Sequence, residues 1–131
     1  MNKKAASKNK PCVLVIEDDR FMRELIGIYL EESGYQVEYA EDGTQGVRKA
    51  KSAKPDAIIL DLMIPGMNGV QVYSALKKDK GTKNTPIVIA SAMNNANNLL
   101  HDAMGQLGVS QFVNKPYTKQ DLLRALKIAL K

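Results

Sequence analysis

Tryptophan is absent from the 131-residue chain, phenylalanine occurs twice, and cysteine and histidine occur once each. A single cysteine, Cys12, excludes an intrachain disulfide. Its place at the head of an apolar run marks a small buried hydrophobe in a reducing compartment. His101 has no second histidine to share a metal with, so neither a metal-ligand nor a phosphodonor role is expected of it. The few aromatics are not interleaved with basic residues, which excludes a stacking platform for single-stranded nucleic acid. No apolar run approaches the ~20 residues of a membrane helix, so membrane insertion is not expected. The opening MNKKAASKNK lacks the apolar stretch of a secretory signal, and a cytoplasmic location is expected. There is no GxxxxGK[ST] phosphate loop and no glycine fingerprint after the first apolar run, where the chain reads EDDRF.

The net charge of +5 is unevenly spread. Residues 1–10 carry four lysines and no acid, residues 11–61 hold eleven acids against six bases, and residues 62–131 hold nine bases against three acids. The basic start reads as a disordered, solvated arm over residues 1–10, and residues 11–131 as one domain. That length supports a core without metal or disulfide staples. Zinc-finger spacing and a helix-turn-helix pattern are both missing, so direct nucleic-acid binding is not expected, and an acidic protein partner fits better.

What the chain does have is four apolar runs that each end in a residue suited to phosphoryl chemistry. They are VLVIEDD (Asp18, Asp19), AIILD (Asp61), IVIAS (Ser91) and QFVNKP (Lys115). Continuous apolar runs mark parallel strands buried on both faces, and ligands of open α/β sheets bind beyond the carboxyl ends of such strands. Three carboxylates, a hydroxyl and an ammonium are therefore expected at one edge of a sheet.

The pattern between the runs supplies the helices. Strands are predicted at 11–16, 35–40, 57–60, 86–91 and near 110–113, and helices at 20–33, from a polar turn at Glu41, Asp42 and Gly43 to about 53, at about 69–79, at 95–106 and at about 119–130. Met22, Leu25, Ile26, Tyr29 and Leu30 follow helical spacing, as do Leu122, Leu123, Leu126 and Leu130. Gly34 and Pro55 are stop signals, and Asn68 is a cap. The run 35–40 alternates and suits an edge, while 57–60 is wholly apolar and suits the centre. The order βαβαβαβαβα with short connections predicts a parallel sheet with helices on both faces.

Clustered carboxylates repel one another unless a cation joins them, and magnesium favours hard oxygen ligands together with phosphate. Asp61 is the best candidate nucleophile, since carboxylates form aspartyl-phosphates and this one ends a rigid central strand. Phosphoryl transfer then needs charge neutralisation around the equatorial oxygens, which Lys115 and Ser91 can help supply. A cis bond at Pro116 would turn the Lys115 loop inward, although only about 5% of X–Pro bonds are cis. Asn94, Asn95, Asn97 and Asn98 suggest a weak first turn for the 95–106 helix.

From Cys12 to Leu130 the chain resembles a two-component response-regulator receiver domain, especially the stand-alone kind typified by the chemotaxis response regulator. The resemblance is carried by Asp18–Asp19, DLMIPGMNG at 61–69, Ser91 with Ala92, and FVNKPY at 112–117. It implies a flavodoxin-like (βα)5 doubly wound sheet of strand order 2-1-3-4-5. It further implies phosphorylation of Asp61 by a histidine kinase or histidine phosphotransfer protein. Asp18, Asp19, Asp61 and the backbone carbonyl of Met63 would hold Mg2+, with Mn2+ able to take its place. Lys115 would bind the phosphoryl group, Ser91 would sense it, and Phe112 would turn inward as the coupled switch. The face over 95–130 would meet a downstream protein or form a homodimer. Met63, apolar and two residues beyond Asp61, suits slow autophosphatase activity.

Departures from the commonest family pattern are Asn68 for aspartate, Phe112 for tyrosine and Val109 for alanine, none of which removes a catalytic group. A constitutive scaffold using the same fold remains the alternative, and it would bind partners equally well with Asp61→Asn. Whether the natural chain continues past Lys131 stays open.

Overall fold

A computed structural model describes residues 10–62, 64, 67–92, 111–115 and 117–131, with backbone alone for Ser91, Ala92 and Asn114. Its elements are β1 (Cys12–Ile16), α1 (Arg20–Glu32), β2 (Gln36–Ala40), α2 (Gly43–Ala53), β3 (Ala57–Leu60), α3 (Gly69–Lys78), β4 (Ile87–Ala92), β5 (Phe112–Lys115) and α4 (Lys119–Ala129). The five strands pair in parallel in the order β2-β1-β3-β4-β5, the flavodoxin-like arrangement. The wholly apolar AIIL lies at the centre, and the alternating QVEYA lies at an edge, where it is only half-buried up to Ala40. The helix expected over 95–106, together with Asn94 and His101, falls outside the described residues.

Side-chain alternation along the strands feeds two cores. Leu14, Ile16, Ile58 and Leu60 face Ala50 of α2 and Val72 and Leu76 of α3. Val13, Val15, Ile59, Val88 and Val113 face Ile26 and Leu30 of α1 and Leu122 and Leu126 of α4. Each fully buried leucine or isoleucine contributes roughly 1.5–3 kcal/mol, so the two cores together fix the sheet in register. Cys12 belongs to this interior, with its backbone N–H bonded to Asp56 Oδ2 at 2.7 Å.

Local signals set the helix ends. Gly34, at φ +90°, follows α1, and the N–H groups of Gly34 and Tyr35 bond Glu31 O and Leu30 O, closing the last turn. Asp42 caps α2 through Gln45 N–H, so the expected polar turn at 41–43 ends in a cap and Gly43 is already helical. Asn68 caps α3 in a reciprocal capping box with Gln71, and Thr118 pairs with Asp121 in the same way ahead of α4.

Strand β5 differs from expectation, beginning at Phe112 and reaching Lys115 rather than ending at 113. Its ladder with β4 runs from Ile89↔Phe112 to Ala92↔Lys115. The apolar run stops before the strand does, and Lys115, the strand's last residue, serves the site rather than the core.

Candidate functional site

The same alternation that builds the core builds the site. Val15 of β1 pairs with Ile59 of β3, and both side chains belong to the core under α1 and α4, as does that of Val113 in β5. Two residues further along each chain, in phase with these three, stand Glu17, Asp61 and Lys115. Backbone bonds carry the sheet past the strand ends to hold them, with Glu17 N–H on Ala40 O at 3.0 Å and Asp61 N–H on Ile16 O at 3.1 Å. The Lys115 ammonium donates to Glu17 Oε1 at 2.8 Å and to Asp61 Oδ2 at 3.1 Å. Glu17 and Asp61 are buried, at 2% and 7% exposure, while Asp18 is exposed.

Ligand oxygens of Glu17, Asp18 and Asp61 all lie within 4.8 Å of one another. This cluster differs in one member from the expected Asp18, Asp19 and Asp61. The Asp19 carboxylate accepts from Met22 N–H at 3.1 Å and caps α1, so it is spent on the helix. Glu17 takes the third place. Alternation contained the signal for it, because Glu17 lies two residues beyond Val15 just as Asp61 lies two beyond Ile59 and Lys115 two beyond Val113. Met63 and Pro116 fall outside the described residues. Ser91 is placed by its backbone in β4 opposite Asn114, and Phe112 packs at the border of the core under α2 and α3.

The electrostatics follow from crowding two buried acids around one ammonium. Burial raises the Glu17 carboxyl to about 7, with a hydrogen bond to Asp61 adding to the rise and Lys115 opposing it. Burial alone would lower the Lys115 ammonium, but its hydrogen bond to Glu17 and the charges of Asp61 and Glu17 prevail and raise it. Lys115 is therefore a permanent cation, and Glu17 holds a proton readily. A site with more negative charge than its lysine offsets, built from hard oxygen donors and open to solvent on the Asp18 side, fits a hard divalent cation of the magnesium class.

Comparison with known proteins agrees with this geometry. The family model of the response regulator receiver domain matches residues 13–127. The hybrid signal transduction histidine kinase D of Dictyostelium discoideum is 38% identical over 119 residues, covering 88% of this chain and 7% of that protein. The phosphate regulon transcriptional regulatory protein PhoB of Pseudomonas aeruginosa is 31% identical over 119 residues, covering 91% and 51%. The chain thus spans about half or less of the length of these curated relatives.

Among solved structures, the chemotaxis response regulator CheY4 of Vibrio cholerae is 28% identical with a TM-score of 0.82, covering 92% of this chain and 99% of that one. The receiver domain of a Pseudomonas aeruginosa sensor histidine kinase, solved with a magnesium ion coordinated in its active-site cleft, is 26% identical with a TM-score of 0.83, covering 92% and 98%. Fold, acidic cluster and family match agree, and the chain belongs to the response regulator receiver domain family.

Proposed function

We propose that this chain is a phosphoacceptor, taking a phosphoryl group on Asp61 from a histidine kinase or histidine phosphotransfer protein and changing its partner binding in response. The observation that carries the reading is Lys115 held between Glu17 and Asp61, a fixed cation beside a buried carboxylate at the end of a central strand. An Asp61 oxygen attacks phosphorus, and the new P–O bond forms as the bond to the donor imidazole nitrogen breaks. Lys115 neutralises charge on the transferred oxygens from a position it already occupies. Asp18, Glu17 and Asp61 would hold Mg2+, or Mn2+ by the same hard-oxygen chemistry. The bound ion supplies the remaining neutralisation of phosphoryl charge.

The switch elements follow from the sheet. Ser91 is the penultimate residue of β4 and Phe112 opens β5, so a doubly negative group on Asp61 would bias two adjoining strands. The surface over 95–130 is the proposed meeting place for a downstream protein or a second copy. With that role goes a cytoplasmic place and slow self-dephosphorylation. The test is incubation with acetyl phosphate, with and without Mg2+, for native protein and Asp61→Asn. A labile phosphoryl adduct is expected only on native protein and only with the metal; its absence from native protein saturated with Mg2+ sinks the reading.

A further inference from the structure

Arg23 touches none of the three site carboxylates, yet most of its side chain is withdrawn from solvent at 15% exposure. One of its terminal nitrogens, Nη1, donates to Glu17 O at 2.9 Å and to Asp18 O at 3.3 Å. The other, Nη2, lies 3.7 Å from Glu41 Oε2 in the connection between β2 and α2. The carbonyl of Glu17 belongs to the peptide that precedes Asp18, and the carbonyl of Asp18 to the peptide that follows it. A single guanidinium thus holds both peptide planes that flank Asp18. Two fixed planes leave the residue between them no free backbone torsion, and so fix the direction of its Cα–Cβ bond.

We infer that Arg23 is a positioning residue for cation binding, setting the aim of the Asp18 carboxylate toward Asp61. The inference rests on the phosphoacceptor reading above. Neighbouring contacts act in the same sense: Arg23 N–H bonds Asp19 O at 2.9 Å in the first turn of α1, and the Asp19 carboxylate caps that turn. The guanidinium therefore starts from a rigid base. It also occupies the two carbonyls that precede α1, which leaves the carboxylates of Glu17 and Asp18 as the oxygens this loop presents to the cluster. Arginine suits the task because a lysine has no second nitrogen with which to reach Glu41 while holding both carbonyls.

The experiment compares native protein with Arg23→Lys and Arg23→Ala. Mg2+ is titrated directly by following the amide resonances of Asp18 and Asp61, and the rate of phosphorylation by acetyl phosphate is measured across the same Mg2+ range. Loss of a residue that orients a metal ligand weakens the metal about tenfold or more, so R23A is expected to raise half-saturating Mg2+ about tenfold and R23K about threefold. The rate at saturating Mg2+ is expected to stay near the native value, because the cation then pulls Asp18 into place.

Unchanged Mg2+ affinity in both variants overturns the inference, even if both unfold more easily, since that is the mark of a purely structural contact. A lower saturated rate with unchanged affinity overturns it too. Should R23A not fold, R23K and Arg23→Gln decide by the same readouts. The native arm separates the two claims: native protein that binds no Mg2+ refutes the phosphoacceptor reading itself, and the role of Arg23 falls with it.

Discussion

Glu17 and Lys115, 98 positions apart in sequence, meet as an ion pair at 2.8 Å whose carboxylate is almost wholly buried. Their strands are not neighbours, since β3 and β4 lie between β1 and β5, so the reach of a lysine stem joins one side of the site to the other. The pair also restrains Asp61, because the same ammonium serves both acids.

Replacing Lys115 by methionine strands two buried carboxyls without their cation. Breaking a buried pair from one side costs about 3–5 kcal/mol. A loss at the lower end of that range is expected at pH 8 without divalent metal, measured by urea unfolding. The loss should shrink at pH 5.5, where Glu17 accepts a proton, and equal losses at the two pH values would contradict the arrangement.

Glu17→Gln tests the pH dependence. The folded protein holds Glu17 at about 7, above its ordinary 4.5, chiefly through burial. A raised folded value means that the native state binds the extra proton. The stability contributed by Glu17 is then full below pH 4.5 and is lost as pH rises through about 7. Stability of the native chain relative to E17Q is therefore expected to fall between pH 5 and pH 8 in metal-free buffer. Saturating Mg2+ should flatten the difference, because a cation replaces the proton.

Asp18 and Asp19 are adjacent and chemically identical, yet their substitutions should separate cleanly. Asp19→Ala removes the α1 cap and is expected to cost about 1 kcal/mol of stability with Mg2+ affinity nearly intact. Asp18→Ala should leave stability almost unchanged, because its side chain is exposed, and weaken Mg2+ about tenfold or more, at least as much as loss of an orienting partner does. Thermal unfolding and metal titration on the same samples check both, and the reverse pattern would restore Asp19 to the cluster.

Tyr117→Phe is expected to stabilise. The Tyr117 hydroxyl is buried with no hydrogen-bond partner among the described residues, and burial pushes its pKa up to about 12. Removing an unpaired buried hydroxyl while keeping the ring should gain about 1 kcal/mol. The urea midpoint reads the change, and a loss of similar size would mean that the hydroxyl has a partner in solution.

Much of this molecule was legible from periodicity. The run AIIL announced a central strand and QVEYA an edge, because burial on two faces or one dictates composition directly. Asn68 was legible as a cap for the same reason: its short side chain can bond the third residue of the coming helix, and it does so at Gln71. The site was read with one acid displaced. Asp18 and Asp19 drew attention as a pair, but a carboxylate one residue before a helix is also an ideal cap, and composition alone cannot tell a cap from a ligand. Glu17 lay hidden because it continues β1 without a break, and only the phase of alternation, followed through β1, β3 and β5 together, picks it out. Lys115 was legible as a residue but not as part of a strand, since Asn114 and Lys115 interrupt the apolar run that defines β5.

The triad Glu17, Asp61 and Lys115 stands at the carboxyl ends of three strands, and β5, the last strand described, joins the sheet at its far edge. During synthesis a chain that has paired only β1, β2 and β3 holds both acids and lacks their cation. Docking of β5 supplies it. Competence to accept phosphate, on the reading proposed, therefore waits on the docking of β5, and a chain that lacks it sends no false message.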